Sequence, residues 1–169
     1  MFVLYGTAYV ETCKVPPDQN GNVDVPSSWT SIPIEGFQNC TELVKINIPA
    51  TITSIKPKAF SGCTNLISAT LPESVEEIGG YSFYGCSKLE SVVIPPKVTQ
   101  VSAHTFQGCT SLKSASLSNV EEIHEYAFEG CNNLGKGSGN TIEIPDSVKE
   151  IRMFAFSGTS NLFYLTIPN

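Results

Sequence analysis

Charged residues are scarce in this chain of 169 residues, at 15% of the total, and only ten residues are lysine or arginine. The basic residues form no run or patch that could neutralise phosphates, and the net charge is −6, so we expect no nucleic-acid partner. No run of about 18 apolar residues occurs, and we therefore predict no membrane span. With 41% hydrophobic residues the chain is too apolar for disorder, which indicates a folded domain.

Groups typical of catalytic or metal sites are also few. His104 and His124 are the only histidines and belong to no shared motif, and the six cysteines include no C-x₂-C pair of the kind that zinc sites use. A near match to a phosphate-binding loop at residues 130–136 continues with Gly137, where a serine or threonine should follow the lysine. We therefore expect a non-enzymatic protein without cofactor or metal.

The cysteines instead mark an internal repeat. After Cys13 they recur every 22 or 23 residues, a phenylalanine stands three positions before each, and a leucine stands three positions after each. An alternating apolar pair, a proline and a second apolar pair complete the unit L-x-x-[I/V/L]-x-[I/L]-P-x-x-V-x-x-I-x-x-x-A-F-x-G-C-x-x. The cysteines in this register are Cys40, Cys63, Cys86, Cys109 and Cys131, and Thr159 takes the place of a sixth.

A period of this length predicts a leucine-rich-repeat solenoid. The alternating segment is expected to be a short strand that ends at proline, and stacked copies place these strands in a parallel β-sheet on the concave face. The A-F-x-G-C segment should make a short turn, or one tight 3-10 or helical turn, on the convex side, closed by glycine. We predict a single array over residues 1–169, with a degraded partial repeat at 1–22, six repeats at 23–169 and an insertion at 135–140.

The regular spacing of the cysteines favours free, buried thiols that pack as small hydrophobic groups. A disulfide between adjacent coils remains an alternative. Cys13 lies in the degraded first copy, so pairing or reactivity is most expected there.

The unit resembles the BspA-like, or Treponema pallidum-type, leucine-rich-repeat family. Three segments carry the resemblance: Ile48-Pro49 through Leu66, Leu71-Pro72 through Leu89, and Ile94-Pro95 through Leu112. The resemblance implies a surface or secreted protein linked to adhesion to matrix proteins or to other cells. The residues themselves are equally compatible with an intracellular location.

The outward strand positions form the candidate binding face for a protein or glycan ligand. This face is neutral and rich in short polar side chains, which suit adaptable hydrogen bonding. Its candidate residues are Lys45, Asn47, Ser68, Thr70, Ser91, Val93, Ser114, Ser116, Thr141, Glu143, Tyr164 and Thr166.

Two further features bear on how the array is used. Cys131 and Pro145 are 14 residues apart where the other copies have nine, and the extra residues within 135–140 should form a flexible loop at one edge of the sheet. Acidic pairs after the proline, such as Glu76-Glu77 and Glu121-Glu122, are expected to form a solvated edge. The alternative function is a scaffold subunit that assembles end to end or edge to edge, because no polar cap is visible at either end.

Overall fold

The computed structural model describes residues 13–136, 141–161 and 164–166, with the backbone alone at Thr141 and at 164–166. All regular secondary structure in these ranges is β-strand. Strands of three and of two residues alternate along most of the chain: β1 (Asn22–Asp24), β2 (Ser31–Ile32), β3 (Lys45–Asn47), β4 (Ser54–Ile55), β5 (Ser68–Thr70), β6 (Glu77–Ile78), β7 (Ser91–Val93), β8 (Gln100–Val101), β9 (Ser114–Ser116), β10 (Glu122–Ile123), β11 (Thr141–Glu143), β12 (Glu150–Ile151) and β13 (Tyr164–Thr166).

The three-residue strands confirm the predicted parallel sheet. They pair in the order β1-β3-β5, β7-β9 and β11-β13, and every ladder joins equivalent positions of successive repeats. We call the surface made by these strands the concave face. The two-residue strands form a second parallel face, paired as β2-β4-β6 and β8-β10-β12, which the repeat pattern did not predict as sheet.

The core consists of side-chain ladders that run from coil to coil. Phe37, Phe60, Phe83, Phe106 and Phe128 are completely buried, and neighbouring rings stack with centroids 5.1 to 5.4 Å apart. Phe156 continues the stack at 5.3 Å from Phe128. The inward strand residues, such as Val23, Ile46 and Val92, are buried as well. Each coil is therefore stabilised by its neighbours, as expected of a solenoid.

On the convex side, the A-F-x-G-C segment makes consecutive short turns, which is one of the two forms predicted for it, and not a helical turn. The Ala59 and Ser61 amides donate to carbonyls three residues earlier in their own coil. The intervening Phe60 and Gly62 amides donate to the next coil, to the Ser82 and Tyr84 carbonyls at 2.7 Å. In a helix every amide would donate to a carbonyl of its own coil. Here alternate amides donate to the next coil, so the turns form a third coil-to-coil hydrogen-bond ladder. Glycine does close the turn, and Gly62 has a φ of 74°.

The cysteines divide into one disulfide and four free thiols. Cys13 and Cys40 are bonded, while Cys63, Cys86, Cys109 and Cys131 are free and buried. The prediction of free structural thiols is thus correct for four positions and wrong for Cys40, which lies beside the degraded copy. Burial raises the pKa of Cys63 and of Cys131 to about 12, and it raises the pKa of Cys86 and of Cys109 well above its ordinary value.

Candidate functional site

The concave face presents its predicted residues to solvent. Where the structure describes the side chain, each outward residue is exposed and the residue between is turned inward, because side chains alternate along a strand. The exposed candidates are Lys45, Asn47, Ser68, Thr70, Ser91, Val93, Ser114, Ser116 and Glu143. Thr141, Tyr164 and Thr166 hold the predicted strand positions in β11 and β13, but their side chains lie outside the description.

The strand register brings these residues into two columns, one on each side of the inward column. Lys45 is opposite Asn22 and Ser68, and Asn47 is opposite Asp24 and Thr70. The Asn47 side-chain amide donates to an Asp24 carboxylate oxygen at 3.1 Å, which links two coils across the face. Most of the remaining groups are short hydroxyls. They leave a shallow polar surface that a ligand can contact over several coils.

An apolar side chain interrupts this polar surface near its middle. Val93 is 66% exposed, the largest exposed fraction among the large hydrophobic residues of the described chain. Val93 is paired with Ser116 in the same column, and Thr70 is the column residue of the preceding coil. Val93 therefore adds an apolar contact between two hydroxyl-bearing side chains. Burying such a side chain against a partner would contribute about 1.5 kcal/mol or more.

The ladders of the concave face are interrupted between β5 and β7 and between β9 and β11. The strands β5 and β7 remain close together, whereas β9 and β11 lie farther apart. A cleft of about 850 Å³ opens between them, and Ala115 is partly exposed there although its counterparts Ala69 and Val92 are buried. The lining includes Ser114, Ser116, Ser118, Glu143 and Asp146. The longer spacing of this repeat predicts an irregularity here, but its loop falls on residues 137–140, outside the described residues.

Hydrogen bonds close the cleft at both ends. At one end the Gly135 amide donates to the Lys113 carbonyl at 2.8 Å. At the other end the Lys149 amide donates to the Glu121 carbonyl at 2.7 Å, and the Ser147 hydroxyl donates to the Val120 carbonyl at 2.7 Å. Behind the cleft the Phe106–Phe128 stack and the β10–β12 ladder continue without a break. The opening is therefore confined to the concave face.

The acidic pairs predicted as a solvated edge are neutralised by cations of adjacent coils. Lys97 contacts Glu76 at 2.6 Å, Lys56 contacts Glu77 at 2.8 Å, and Lys149 contacts Glu121 at 2.6 Å. All of these groups are substantially exposed, so each pair stabilises the fold by less than about 1 kcal/mol. The lysines thus compensate the charges of Glu76, Glu77 and Glu121 on this edge.

Arg152 contacts three carboxylates at the C-terminal end of the same edge. Its guanidinium lies 3.0 Å from Glu150, 3.2 Å from Glu122 and 3.8 Å from Glu125. The hydrogen bond to Glu150 raises the pKa of Arg152, and the nearby carboxylate charges add to that effect. This cluster joins the last two described coils.

The two histidines are partly buried and make separate contacts. The His104 ring is stacked between Tyr81 and Tyr126, with centroids 4.3 and 4.8 Å apart, and its Nδ1 is 2.6 Å from the Gln107 amide oxygen. His124 Nε2 is 3.1 Å from Glu122. Across the described ranges, no group of three or more His, Cys, Asp or Glu side chains is placed to hold a metal ion.

An exposed aromatic row on the convex side was not anticipated. Tyr81, His104, Tyr126 and Phe154 occupy the same left-handed turn position, with φ near 60°, and stack from coil to coil. The signal was present in the sequence, because these residues recur at one repeat position, two residues before the buried phenylalanine of each coil. The rings cover each other's faces, so the row stabilises the coil stack more than it offers a free aromatic surface.

The stacked parallel strands, the inward ladders and the polar outward columns define a leucine-rich-repeat solenoid. A family model described as the BspA type leucine rich repeat region matches six copies over residues 19–135 and 135–169. The chain belongs to this family. No protein among those with curated descriptions matches it.

Solved structures of bacterial leucine-rich-repeat proteins agree with this assignment. A leucine rich cell surface protein of Faecalibacterium prausnitzii is 33% identical, with a TM-score of 0.75 over 86% of this chain and 38% of its own. A leucine-rich repeat protein of Bacteroides ovatus is 33% identical, with a TM-score of 0.80 over 87% and 37%. The T. pallidum leucine rich repeat protein is 30% identical, with a TM-score of 0.76 over 84% and 64%. The chain thus spans less than two thirds of each of these proteins.

In the described part of the chain, no helix is long and apolar enough to cross a membrane. The predicted division into repeats, with its boundaries at residues 22 and 23, remains a prediction.

Proposed function

We propose that this chain is a non-enzymatic binding module that holds a protein or glycan on its concave face. The observation that carries the proposal is the two-column array of exposed polar side chains, kept in register over successive coils. The backbone of a rigid sheet is already ordered before a ligand binds. Little backbone entropy is therefore lost on binding, which favours affinity. The site residues are those that the sequence predicted, from Lys45 to Thr166.

The cell surface is the proposed location, and adhesion is the proposed role. One similar structure is described as a cell surface protein, and the family assignment covers most of the chain. The Cys13–Cys40 disulfide supports an oxidising environment, because disulfides are rare where thiols are kept reduced.

The decisive test uses arginine substitutions on the concave face. Ser91→Arg and Ser114→Arg place two bulky cations where short hydroxyls are exposed on paired strands. We expect the double variant to lose at least tenfold in affinity for every probe that binds the wild type. The probes are immobilised extracellular-matrix proteins and a glycan array, with binding followed by biolayer interferometry and array fluorescence.

The matched control adds the same charge off the concave face. Thr41→Arg and Thr64→Arg alter two exposed residues in the turn after the cysteine. This control should bind like the wild type. If the concave variant also binds every probe normally while remaining folded, or if no probe binds the wild type, the proposed function is wrong.

A further inference from the structure

The cleft between β9 and β11 has the backbone geometry of a missing strand. The Ile94 amide donates to the Ser116 carbonyl at 3.0 Å, so Ser116 directs its backbone groups toward β7. Backbone groups alternate in direction along a strand, and Ala115 therefore directs its amide and carbonyl toward β11. Glu143 occupies the repeat position of Ser116 and directs its own backbone groups back toward β9. Both walls thus offer backbone donors and acceptors to the same space.

The cleft exposes an apolar contact at Ala115. Ala115 is partly exposed, whereas its counterparts Ala69 and Val92 are buried in the paired parts of the concave face. The other apolar residues of the lining are already buried: Leu117, Leu134, Ile142 and Ile144. An incoming strand would therefore place one apolar side chain against Ala115 while its alternate side chains remain on the concave face.

The rim of the cleft is acidic. Glu143 and Asp146 are exposed, and neither forms an ion pair with another residue in the described part of the chain. Lys113, the cation of the lining, is already paired with Glu90 at 3.1 Å. The uncompensated charge at this opening is negative, which favours a basic side chain on whatever enters.

We infer that the cleft between β9 and β11 accepts an extended peptide segment carrying lysine or arginine, which adds a strand to the concave face. This inference rests on the proposed function, because it assigns a partner class to part of the same face. Strand addition obtains its affinity from main-chain hydrogen bonds and its selectivity from alternate side chains. A glycan would leave the backbone groups on both walls without such regular partners.

The test uses a fluorescein-labelled peptide with the sequence Val-Lys-Ile-Lys-Ile, acetylated and amidated at its ends. Its isoleucines repeat the inward pattern of β3, and its lysines face the acidic rim. We expect saturable binding by fluorescence anisotropy, together with slower amide hydrogen exchange in β9 and β11. Peptides with glutamate in place of both lysines, or with two successive N-methylated amides, should bind at least tenfold more weakly.

A matched pair of protein variants tests the acidic rim. Glu143→Gln with Asp146→Asn should weaken peptide binding at least threefold. Asp24→Asn with Glu73→Gln makes the same charge change at the same repeat positions in earlier coils, and should leave binding unchanged. Equal effects of the two pairs would overturn the role of the rim.

The strand-addition proposal is wrong if the N-methylated peptide binds as well as the parent, or if the parent does not bind at about 1 mM. Its failure is distinguishable from failure of the proposed function, because Ser91→Arg lies outside the cleft lining. If Ser91→Arg loses binding to the matrix proteins or glycans and the wild type does not bind the peptide, the concave-face proposal is supported and strand addition is refuted. If the wild type binds the peptide and Ser91→Arg binds the matrix proteins and glycans normally, strand addition is supported and the concave-face proposal is refuted.

Discussion

At the scale of single residues, the repeated cysteine is a hydrogen-bond donor between coils. The Cys63 thiol lies 2.9 Å from the Phe37 carbonyl of the preceding coil, and Cys86 and Cys109 make the same contact at 3.2 Å to Phe60 and Phe83. The thiol thus satisfies a carbonyl while filling a small apolar space. Thr159 takes the same position with a different hydrogen bond, because its hydroxyl donates within its own coil, to the Phe156 carbonyl at 2.7 Å.

The cysteine assignments predict the outcome of thiol counting. Burial raises the pKa of all four free thiols well above its ordinary value, which keeps them protonated at neutral pH, and burial also blocks reagents. We expect no rapid reaction with a disulfide reagent in the native protein at pH 8. Four thiols should react after denaturation, and six after denaturation and reduction, by absorbance titration.

The denatured, unreduced sample is the critical one. Six reactive thiols in that sample would show that Cys13 and Cys40 are not bonded. Two or fewer would show that the ladder cysteines are paired, contrary to the structure.

At the scale of elements, the phenylalanine stack is predicted to be the main source of coil-to-coil stability. Phe83 is fully buried between Phe60 and Phe106, with ring centroids 5.1 and 5.4 Å away. Phe83→Ala should therefore lower the free energy of unfolding by roughly 3–5 kcal/mol, because it removes both contacts and leaves a cavity. Urea unfolding monitored by circular dichroism measures the change.

The neighbouring Tyr84→Ala is the matched control for this substitution. Tyr84 is 42% exposed and contacts Tyr81 at a tilt. Its loss should cost about 1 kcal/mol or less. Similar losses in both variants would contradict the assignment of stability to the buried stack.

The repeat pattern predicted the first strand of each coil correctly. It predicted the second strand and the convex turn less completely. The inward positions, the register and the exposed columns follow from alternation alone, so Val23, Ile46 and Asn47 were placed correctly. The second sheet was missed because two-residue strands such as Ser54–Ile55 are too short to show alternation. The repeat pattern left a short turn and a helical turn both open on the convex side, because the choice depends on which coil receives each amide hydrogen bond, as at Phe60.

At the scale of the whole molecule, each coil contacts only its neighbours along the array. A change in one coil therefore affects the stability of the adjacent coils most. The Cys13–Cys40 bond joins the first described segment to the next coil and closes a loop with a sequence separation of 27. In the chain-entropy description, closing a loop of this length lowers the entropy of the unfolded chain and stabilises the fold by about 3.5 kcal/mol. Reduction should thus destabilise the N-terminal coils by about that amount.

Hydrogen exchange with and without a reductant measures this effect. Amides in residues 13–40 should exchange faster in the reduced protein, whereas those around the Phe83–Phe128 stack should change little. A variant with Cys13→Ser and Cys40→Ser is the control and should not respond to the reductant. Uniform acceleration along the chain, or none, would contradict the prediction.

The candidate site was only partly accessible from the sequence. The columns of the concave face follow from the repeat, but the cleft depends on the separation of β9 and β11 in space. The extra residues before β11 indicated an irregularity without showing which ladder would break. Asp146, outside the strand positions, was therefore not among the predicted candidates.

The one-sided gap also has a mechanical consequence for the array. The convex hydrogen bonds, the Phe106–Phe128 stack and the β10–β12 ladder hold the adjoining coils together on the side away from the gap. Any change in the spacing of β9 and β11 must then be taken up as a rotation about that intact side. The width of the gap sets the local curvature, so whatever occupies it would fix the angle between the earlier and the later strands of the concave face.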